Sequence, residues 1–373
     1  MNLPEPHIHK LFDVLAQSEI SFALYRLPWT DEAILILQKE GYAESIGDLS
    51  ELNGKRGFVM APFHQTATHP IVLIRPDIVA HEWEQITQEL NRLFPGTSDI
   101  VTHTSMLSTA RMESLSENKQ HYEEAFTRFI VPLQQKTFKK LVLSRSSTQN
   151  IPEGFSPLTA FIRACNSYPR MMISLCHTPQ TGTWIGSTPE IILSGQEQEW
   201  HTVSLAGTMP MQGESMPTDW SEKNREEQAF VSEYIRKCIK QFGSQLTEKG
   251  PYTARAGHVV HLKTDFHFSL KKAGHLGDLL KVLHPTPAVC GLPKQTAYDF
   301  ILENEYYDRS YYSGIIGWLD PDGYTTLYVN LRCMKIGEQQ ITLYAGGGIL
   351  PSSTAESEWE ETQQKMNTMR HIL

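Results

Sequence analysis

The sequence predicts an α+β fold. Three observations point there: strand-like and helix-like segments do not alternate one for one, the region after Lys140 is strand-rich with a few clear helices, and no linker-like composition divides that region. A doubly wound parallel sheet would show one helix after nearly every strand.

The elements follow in order. Residues 21–27 read as a strand ended by Pro28, and 57–60 and 71–74 read likewise, as short β-branched or aromatic runs between breakers. The segment 118–135 has helical periodicity, with Tyr122, Phe126, Phe129, Ile130 and Leu133 on one face. Further strands are expected at 141–144, 172–176, 190–193, 325–331 and 341–345. Helices are expected at 219–242, 296–305 and 356–373.

Composition narrows the function. Of 373 residues, 40% are hydrophobic and 20% charged, which is ordinary for a globular chain with a sizeable core. A net charge of −9 without long runs of like charge opposes nucleic-acid or anionic-membrane binding, both of which need clustered Lys and Arg. There is no stretch of about 18 apolar residues for a transmembrane helix. The first residues lack the basic start and apolar core of a signal peptide. Cys165, Cys176, Cys238, Cys290 and Cys333 are scattered without a C-x-x-C pair, as reduced thiols are. A cytoplasmic location is therefore expected.

Two helices carry carboxylates on their apolar stripes. In 219–242, Val231, Tyr234, Ile235, Cys238 and Phe242 recur at helical spacing, and Glu227 lies one turn before them. Glu227 either begins the stripe at an exposed helix start, where the dipole suits a carboxylate, or points inward. In the last helix Glu358, Glu361, Lys365, Met369 and Ile372 share a face. Glu361 and Lys365 form either a solvated pair or an inward one. Unpaired buried carboxylates are costly, so two inward-facing sets make Mg²⁺ a natural shared partner.

Three further features are each open. Gly346-Gly347-Gly348 after a strand allows close backbone approach to an anion, or simply a tight turn. Alternation puts Lys140, Val142 and Ser144 on one strand face. Glu190 follows Pro189 just before an apolar run. Lys140 and Glu190 read either as surface charges at strand ends or as site groups.

Taken together, the motifs resemble the chorismate-utilising enzymes, the family of isochorismate synthase, salicylate synthase, anthranilate synthase component I and aminodeoxychorismate synthase. They run in order as Lys140-Leu-Val-Leu-Ser-Arg145, Gly186-Ser-Thr-Pro-Glu190, Leu205-Ala-Gly-Thr208, Lys223-Asn-Arg-Glu-Glu227 and Leu283-His-Pro-Thr-Pro-Ala-Val-Cys-Gly-Leu-Pro293. Glu305 and Arg309, Tyr312-Ser-Gly314, Gly317-Trp318, Leu331-Arg332, Ala345-Gly-Gly-Gly-Ile349 and Glu358-Trp-Glu-Glu-Thr362 complete the series. The resemblance covers roughly 115–373. It implies one catalytic domain over 1–373, with a divergent part at 1–115 and a motif-bearing part at 116–373. Its fold would be two antiparallel sheets packed together with helices outside.

The stretch around His284, with Ala288 where the amino-transferring relatives usually carry Thr, looks like the isochorismate synthase form. That form adds water to C2 of chorismate and expels the C4 hydroxyl, for menaquinone or siderophore biosynthesis. By resemblance, Lys140 is the general base, Glu190 the general acid, and His261 a third catalytic residue near the substrate unless it is a satisfied core histidine. Lysine and glutamate titrate in solution near about 10.4 and 4.3, so a closed pocket must shift both. Mg²⁺ is expected on Glu227 and Glu361 with Glu358 beside them. Arg332 is expected on the enolpyruvyl carboxylate, with Gly207, Thr208, Ala288, Tyr312, Gly346, Gly347 and Lys365 around the substrate. No glutaminase partner and a monomeric state are implied. Departures are Asn224, where the family usually has an acid, and Gln228, where it usually has His; Tyr312 and Leu331 resemble salicylate synthases. Salicylate synthase and a catalytically silent chorismate-binding relative are the alternatives.

Overall fold

The structure is a computed structural model describing residues 6–16, 18–95, 115–211, 213, 215–257, 259–271 and 274–373. Residues 1–5, on which the signal-peptide expectation falls, and 96–114, the end of the divergent part, lie outside that set.

In chain order the first part forms α1 (Pro6–Leu15), β1 (Phe22–Arg26), β2 (Ile34–Leu37), β3 (Glu44–Ile46), β4 (Gly57–Ala61), β5 (Ile71–Ile74), β6 (Ile78–His81), α2 (Glu82–Leu93) and α3 (Leu115–Gln134). The middle forms β7 (Lys140–Asn150), α4 (Pro157–Ser167), β8 (Met172–Thr178), β9 (Gly182–Thr188), β10 (Ile191–Gln196), β11 (Glu199–Pro210), α5 (Glu222–Phe242), β12 (Gly243–Ala256) and β13 (Val259–Leu270). The last part forms α6 (Leu276–Leu283), β14 (Gly291–Leu292), α7 (Lys294–Asn304), β15 (Ile315–Leu319), β16 (Thr325–Val329), β17 (Cys333–Ile336), β18 (Gln340–Ile349) and α8 (Ala355–Arg370).

The strands make two nine-stranded sheets, in the orders β14-β7-β18-β17-β9-β8-β1-β2-β6 and β12-β13-β11-β10-β16-β15-β4-β5-β3. Neighbouring strands are antiparallel, as in β7–β18, β11–β13 and β15–β4. This is the α+β architecture the sequence predicts. Strands from the first eighty-odd residues extend both sheets: β1 pairs with β8 and β4 with β15. Among the described residues no helix is long and apolar enough to cross a membrane.

Helices α5 and α8 matter most for the site. Ser221 Oγ caps α5 by accepting from Asn224 N at 3.3 Å, and Thr354 Oγ1 caps α8 by accepting from Ser357 N at 3.4 Å. Val231, Ile235, Cys238 and Ile239 of α5 are buried against the second sheet, where Trp200, Phe266 and Phe268 share their core. Met366 and Met369 of α8, with Ile372 just past the helix end, pack on the first sheet with Leu343 and Ala345. Arg145, wholly buried, ties α8 and α3 to β7: Nε donates to Thr362 Oγ1 at 2.7 Å and Nη1 to Asn118 Oδ1 at 2.9 Å.

Two sequence expectations change. The glycine run does not follow the strand as a turn; Gly346, Gly347 and Gly348 lie inside β18, paired with Ser144, Leu143 and Val142 of β7. Cross-strand hydrogen bonds from β7 outweigh the low strand propensity of glycine. The strand expected at 190–193 starts at Ile191, leaving Glu190 in the corner before it.

Candidate active site

The two sheets meet where β7 and β18 of the first face β11 and β13 of the second. A narrow cavity opens there between Val142 and the three glycines on one side and Leu205, Gly207, Thr208 and His261 on the other. Glu190, Glu227, Ala288, Tyr312, Arg332 and Lys365 also line it. The structure thus gathers nearly every site residue expected from the sequence. Lys140, Glu358 and Glu361 are not in that lining; Lys140 lies within 3.0 Å of where a Cβ on Gly348 would stand, and Glu358 and Glu361 within 3.3 Å of one on Gly347.

Lys140 begins β7 on the face it shares with Val142 and Ser144, and all three are buried. Its Nζ lies 2.9 Å from Glu227 Oε1, a close charge contact without the angle of a hydrogen bond. A Cβ on Gly348 would run into Glu227 Oε1 and come within 3.0 Å of Lys140 Cε. The missing side chain at 348 is therefore what lets this pair meet.

Glu358 is buried on α8 and pairs with Lys223 of α5, while its Oε2 has no hydrogen-bond partner among the described residues. Glu361 receives Lys365 Nζ at 2.6 Å, and Lys365 also donates to Gly346 O at 2.8 Å. The Glu361 side chain keeps 21% of its exposure, so it points inward less completely than its apolar neighbours on the stripe suggest. A Cβ on Gly347 would sit 3.1 Å from Glu358 Oε2 and 3.3 Å from Glu361 Oε1. Burial, and then the Glu361 charge, push the Glu358 carboxyl up to about 7. For Glu361 burial pushes upward too, but Lys365 outweighs it and leaves the carboxyl below its ordinary value.

Three carboxylates thus converge on two consecutive glycines, each held by a lysine. Among the described residues no three His, Cys, Asp or Glu side chains already stand at metal-ligating spacing. The set nevertheless fits a hard cation that needs only one or two carboxylates plus water and ligand oxygens. Glu358 Oε2 is a buried acceptor lacking a donor, and the glycines leave the cradle open.

Glu190 is 3% exposed in the corner between β9 and β10, and its carbonyl accepts from Val329 N at 2.8 Å. Burial raises its carboxyl to about 7, against the opposing pull of Lys140 and Arg332. At neutral pH it can hold or release a proton, as an acid–base group must.

Arg332 is buried, with Nη2 2.8 Å from His261 Nε2 and Nε without a partner among the described residues. His261 Nδ1 lies 2.8 Å from Gly207 O and 3.3 Å from Thr208 Oγ1. Burial, then the Arg332 charge, hold the imidazole well below its ordinary pKa. The Tyr312 ring stacks on Tyr344 at 5.7 Å, closing the cavity beside Leu331.

The two departures have different surroundings. Asn224 Oδ1 accepts from Thr208 N at 3.4 Å, close behind Gly207. Gln228 turns away from the carboxylates and donates to Ser204 Oγ at 2.8 Å and Thr264 Oγ1 at 3.2 Å.

Sequence reasoning assigned no role to Lys223, Glu305 or Arg309, and gave Gly348 only a share in the glycine run. Lys223 lies four residues before Glu227, and that spacing on one helix face was an available signal. Glu305 accepts from Arg309 Nε and Nη2 at 2.6 Å and from Ser144 N at 2.7 Å. Arg309 also donates to Val289 O at 2.7 Å and Val142 O at 2.8 Å, joining the Ala288 loop to β7.

Comparison with known proteins gives the family of this fold of two packed sheets with a glycine-floored cavity. The sequence pattern of the chorismate binding enzymes matches residues 63–373, and the chain belongs to that family. The isochorismate synthase EntC of Escherichia coli K12 is 32% identical over 200 residues, 52% of this chain and 51% of that protein. The chain matches about half the length of the first curated relatives. The structure of MenF, the menaquinone-specific isochorismate synthase of E. coli, superposes with a TM-score of 0.76 at 21% identity, covering 100% of this chain and 92% of that one. A structure described as a putative 2,3-dihydroxybenzoate-specific isochorismate synthase, DhbC from Bacillus anthracis, gives 0.74 at 22% identity over 96% and 98%. These two likenesses show the shared fold.

Proposed function

We propose that the chain is an isochorismate synthase, converting chorismate to isochorismate with Mg²⁺ bound beside Glu227, Glu358 and Glu361. The observation that carries this reading is Glu190, buried at the cavity wall with a carboxyl raised to about 7, while Lys140, on the strand face that carries the cavity-lining Val142, is near enough for its charge to oppose that rise. Relatives named isochorismate synthase support it.

Lys140 takes a proton from the water that attacks C2. Glu190 gives a proton to the C4 hydroxyl, which leaves as water while the ring double bonds shift. Arg332, with its free Nε–H, pairs with one substrate carboxylate, since a guanidinium edge meets a carboxylate in two parallel hydrogen bonds. Mg²⁺, when bound, supplies positive charge for the other carboxylate. Gly207 and Gly347 let the backbone approach the ligand. Water is the nucleophile, so this reading needs no ammonia-supplying glutaminase; a single monomeric catalytic domain in the cytoplasm, serving menaquinone or siderophore biosynthesis, completes the proposal.

One observation favours a second reading. Tyr312 and Leu331 both line the cavity, and this pair resembles salicylate synthases, which also eliminate pyruvate. Purified protein incubated with chorismate, with and without Mg²⁺, separates the two. Metal-dependent isochorismate as main product supports the first reading, and salicylate with pyruvate supports the second. Absence of turnover, with or without ammonia, points to a silent chorismate-binding relative.

A further inference from the structure

We infer that His261 is a positioning residue: a neutral imidazole fixed as the Nδ1–H tautomer, which aims the Arg332 guanidinium into the cavity and transfers no proton. This rests on the isochorismate synthase reading for its kinetic consequences, but not for its geometry.

The tautomer follows from the two partners. A guanidinium nitrogen can only donate, so His261 Nε2, 2.8 Å from Arg332 Nη2, carries the lone pair. A carbonyl oxygen can only accept, so His261 Nδ1, 2.8 Å from Gly207 O, carries the hydrogen. Both ring nitrogens are committed, and neither is left to exchange a proton with a ligand. A protonated ring would set N–H against N–H at Arg332.

The backbone on both sides is shaped for this contact. Strand β11 bulges against β13 between Ala206 and Thr208, and Gly207 within the bulge has φ 71°, which turns its carbonyl onto the His261 ring. A Cβ there would lie 3.1 Å from Asn224 Cβ and O in an unfavourable left-handed conformation. Arg332 also has a left-handed φ, 46°, and its carbonyl is held by Ser187 N at 3.0 Å. Non-glycine residues in this conformation concentrate at functional positions. With Nη2 held by His261, Arg332 Nε–H stays buried and unpartnered, the open half of a fork for an anion.

The test compares two amide substitutions in the full chain. Both keep a neutral side chain. In His261→Gln the amide oxygen reaches the place of Nε2 and can accept from Arg332. In His261→Asn the amide reaches only the place of Nδ1, so the Gly207 contact survives and Arg332 loses its acceptor. We expect His261→Asn to raise the chorismate KM by about tenfold to a hundredfold with a smaller loss of kcat. His261→Gln should fall within a few-fold of the native enzyme, with an unchanged pH profile of kcat. Equal loss of kcat by orders of magnitude in both, or loss of one limb of that profile, overturns the proposal.

Nitrogen-15 histidine spectroscopy of the native chain reads the tautomer directly. A protonated Nδ1 and bare Nε2 across neutral pH are expected, and the opposite tautomer or titration near pH 6 to 7 overturns the assignment. This measurement stands even if the protein shows no turnover, so failure of the reaction and failure of the positioning role are told apart.

Discussion

Glu227 stands 2.9 Å from Lys140, and the space in which they meet exists because residue 348 is glycine. The pair links α5 to β7 through the floor of the cavity, so a methyl group there should act on chemistry more than on folding. In Gly348→Ala the new Cβ displaces the Glu227 carboxylate and presses on Lys140 Cε. Displacements of about 1 Å at reacting groups cost about a hundredfold in rate, which is the expected fall in kcat/KM. Near-native kcat/KM would show that the contact is dispensable.

Glu190 sets the pH dependence. As a general acid it must be protonated, and its carboxyl is raised to about 7, so kcat should decline as pH rises through about 7. Stability follows the same sign. The folded pKa exceeds the unfolded value, so the native state binds more protons, and the contribution present below about 4.5 is lost as pH rises towards 7. Glu190→Gln should lower kcat by about 10²-fold to 10⁴-fold and remove this part of the pH slope in denaturant titrations. A slope that persists unchanged would assign it to another group. Lys140→Ala should lower kcat comparably.

Metal binding should be visible without turnover. A ligand at 100 times its Kd stabilises the native state by about 2.7 kcal/mol, so Mg²⁺ should raise the melting temperature by several degrees. Glu361→Gln, which keeps the shape and removes a charge, should abolish most of that shift. Chelator treatment should remove both the shift and turnover, and added Mg²⁺ should restore them. A melting temperature indifferent to Mg²⁺ at millimolar concentration would reject the carboxylate cradle as its site.

How much of this was legible in the sequence depended on the range of the interactions. Helical spacing put Glu227 and Glu358 on stripes shared with apolar residues, because a stripe is a local pattern, but left open whether they pointed inward; both are buried. Strand alternation put Lys140 on one face with Val142, but did not say that this face was the inside. The glycine run was misread as following the strand, because its pairing partner, β7, lies some two hundred residues away in sequence. Strand β12 escaped notice because it is largely exposed and polar and lacks alternation. Lys223 meets Glu358, Glu305 meets Ser144, and Arg309 meets Val142 and Val289 only through tertiary contact, and no local rule assigns those partners.

The Glu305–Arg309 pair gives a prediction that separates stability from positioning. Both side chains are 2% exposed, and Arg309 ties Val142 O beside Lys140 to Val289 O beside Ala288. Burial disfavours the Arg309 charge, but the Glu305 carboxylate more than offsets this and raises its pKa above the ordinary value. Glu305→Gln leaves that cation buried without its counter-charge, which costs about 3–5 kcal/mol. Replacing Arg309 by Met in the same chain removes the buried charge and should return much of the stability, as apolar replacements of buried pairs often do. It cannot return the two carbonyl contacts. The double variant should therefore melt above Glu305→Gln yet remain as poor a catalyst, or a worse one, with the loss concentrated in kcat. Recovery of turnover together with stability would show that the pair holds the fold and does not set the spacing between the Ala288 loop and the strand that carries Lys140.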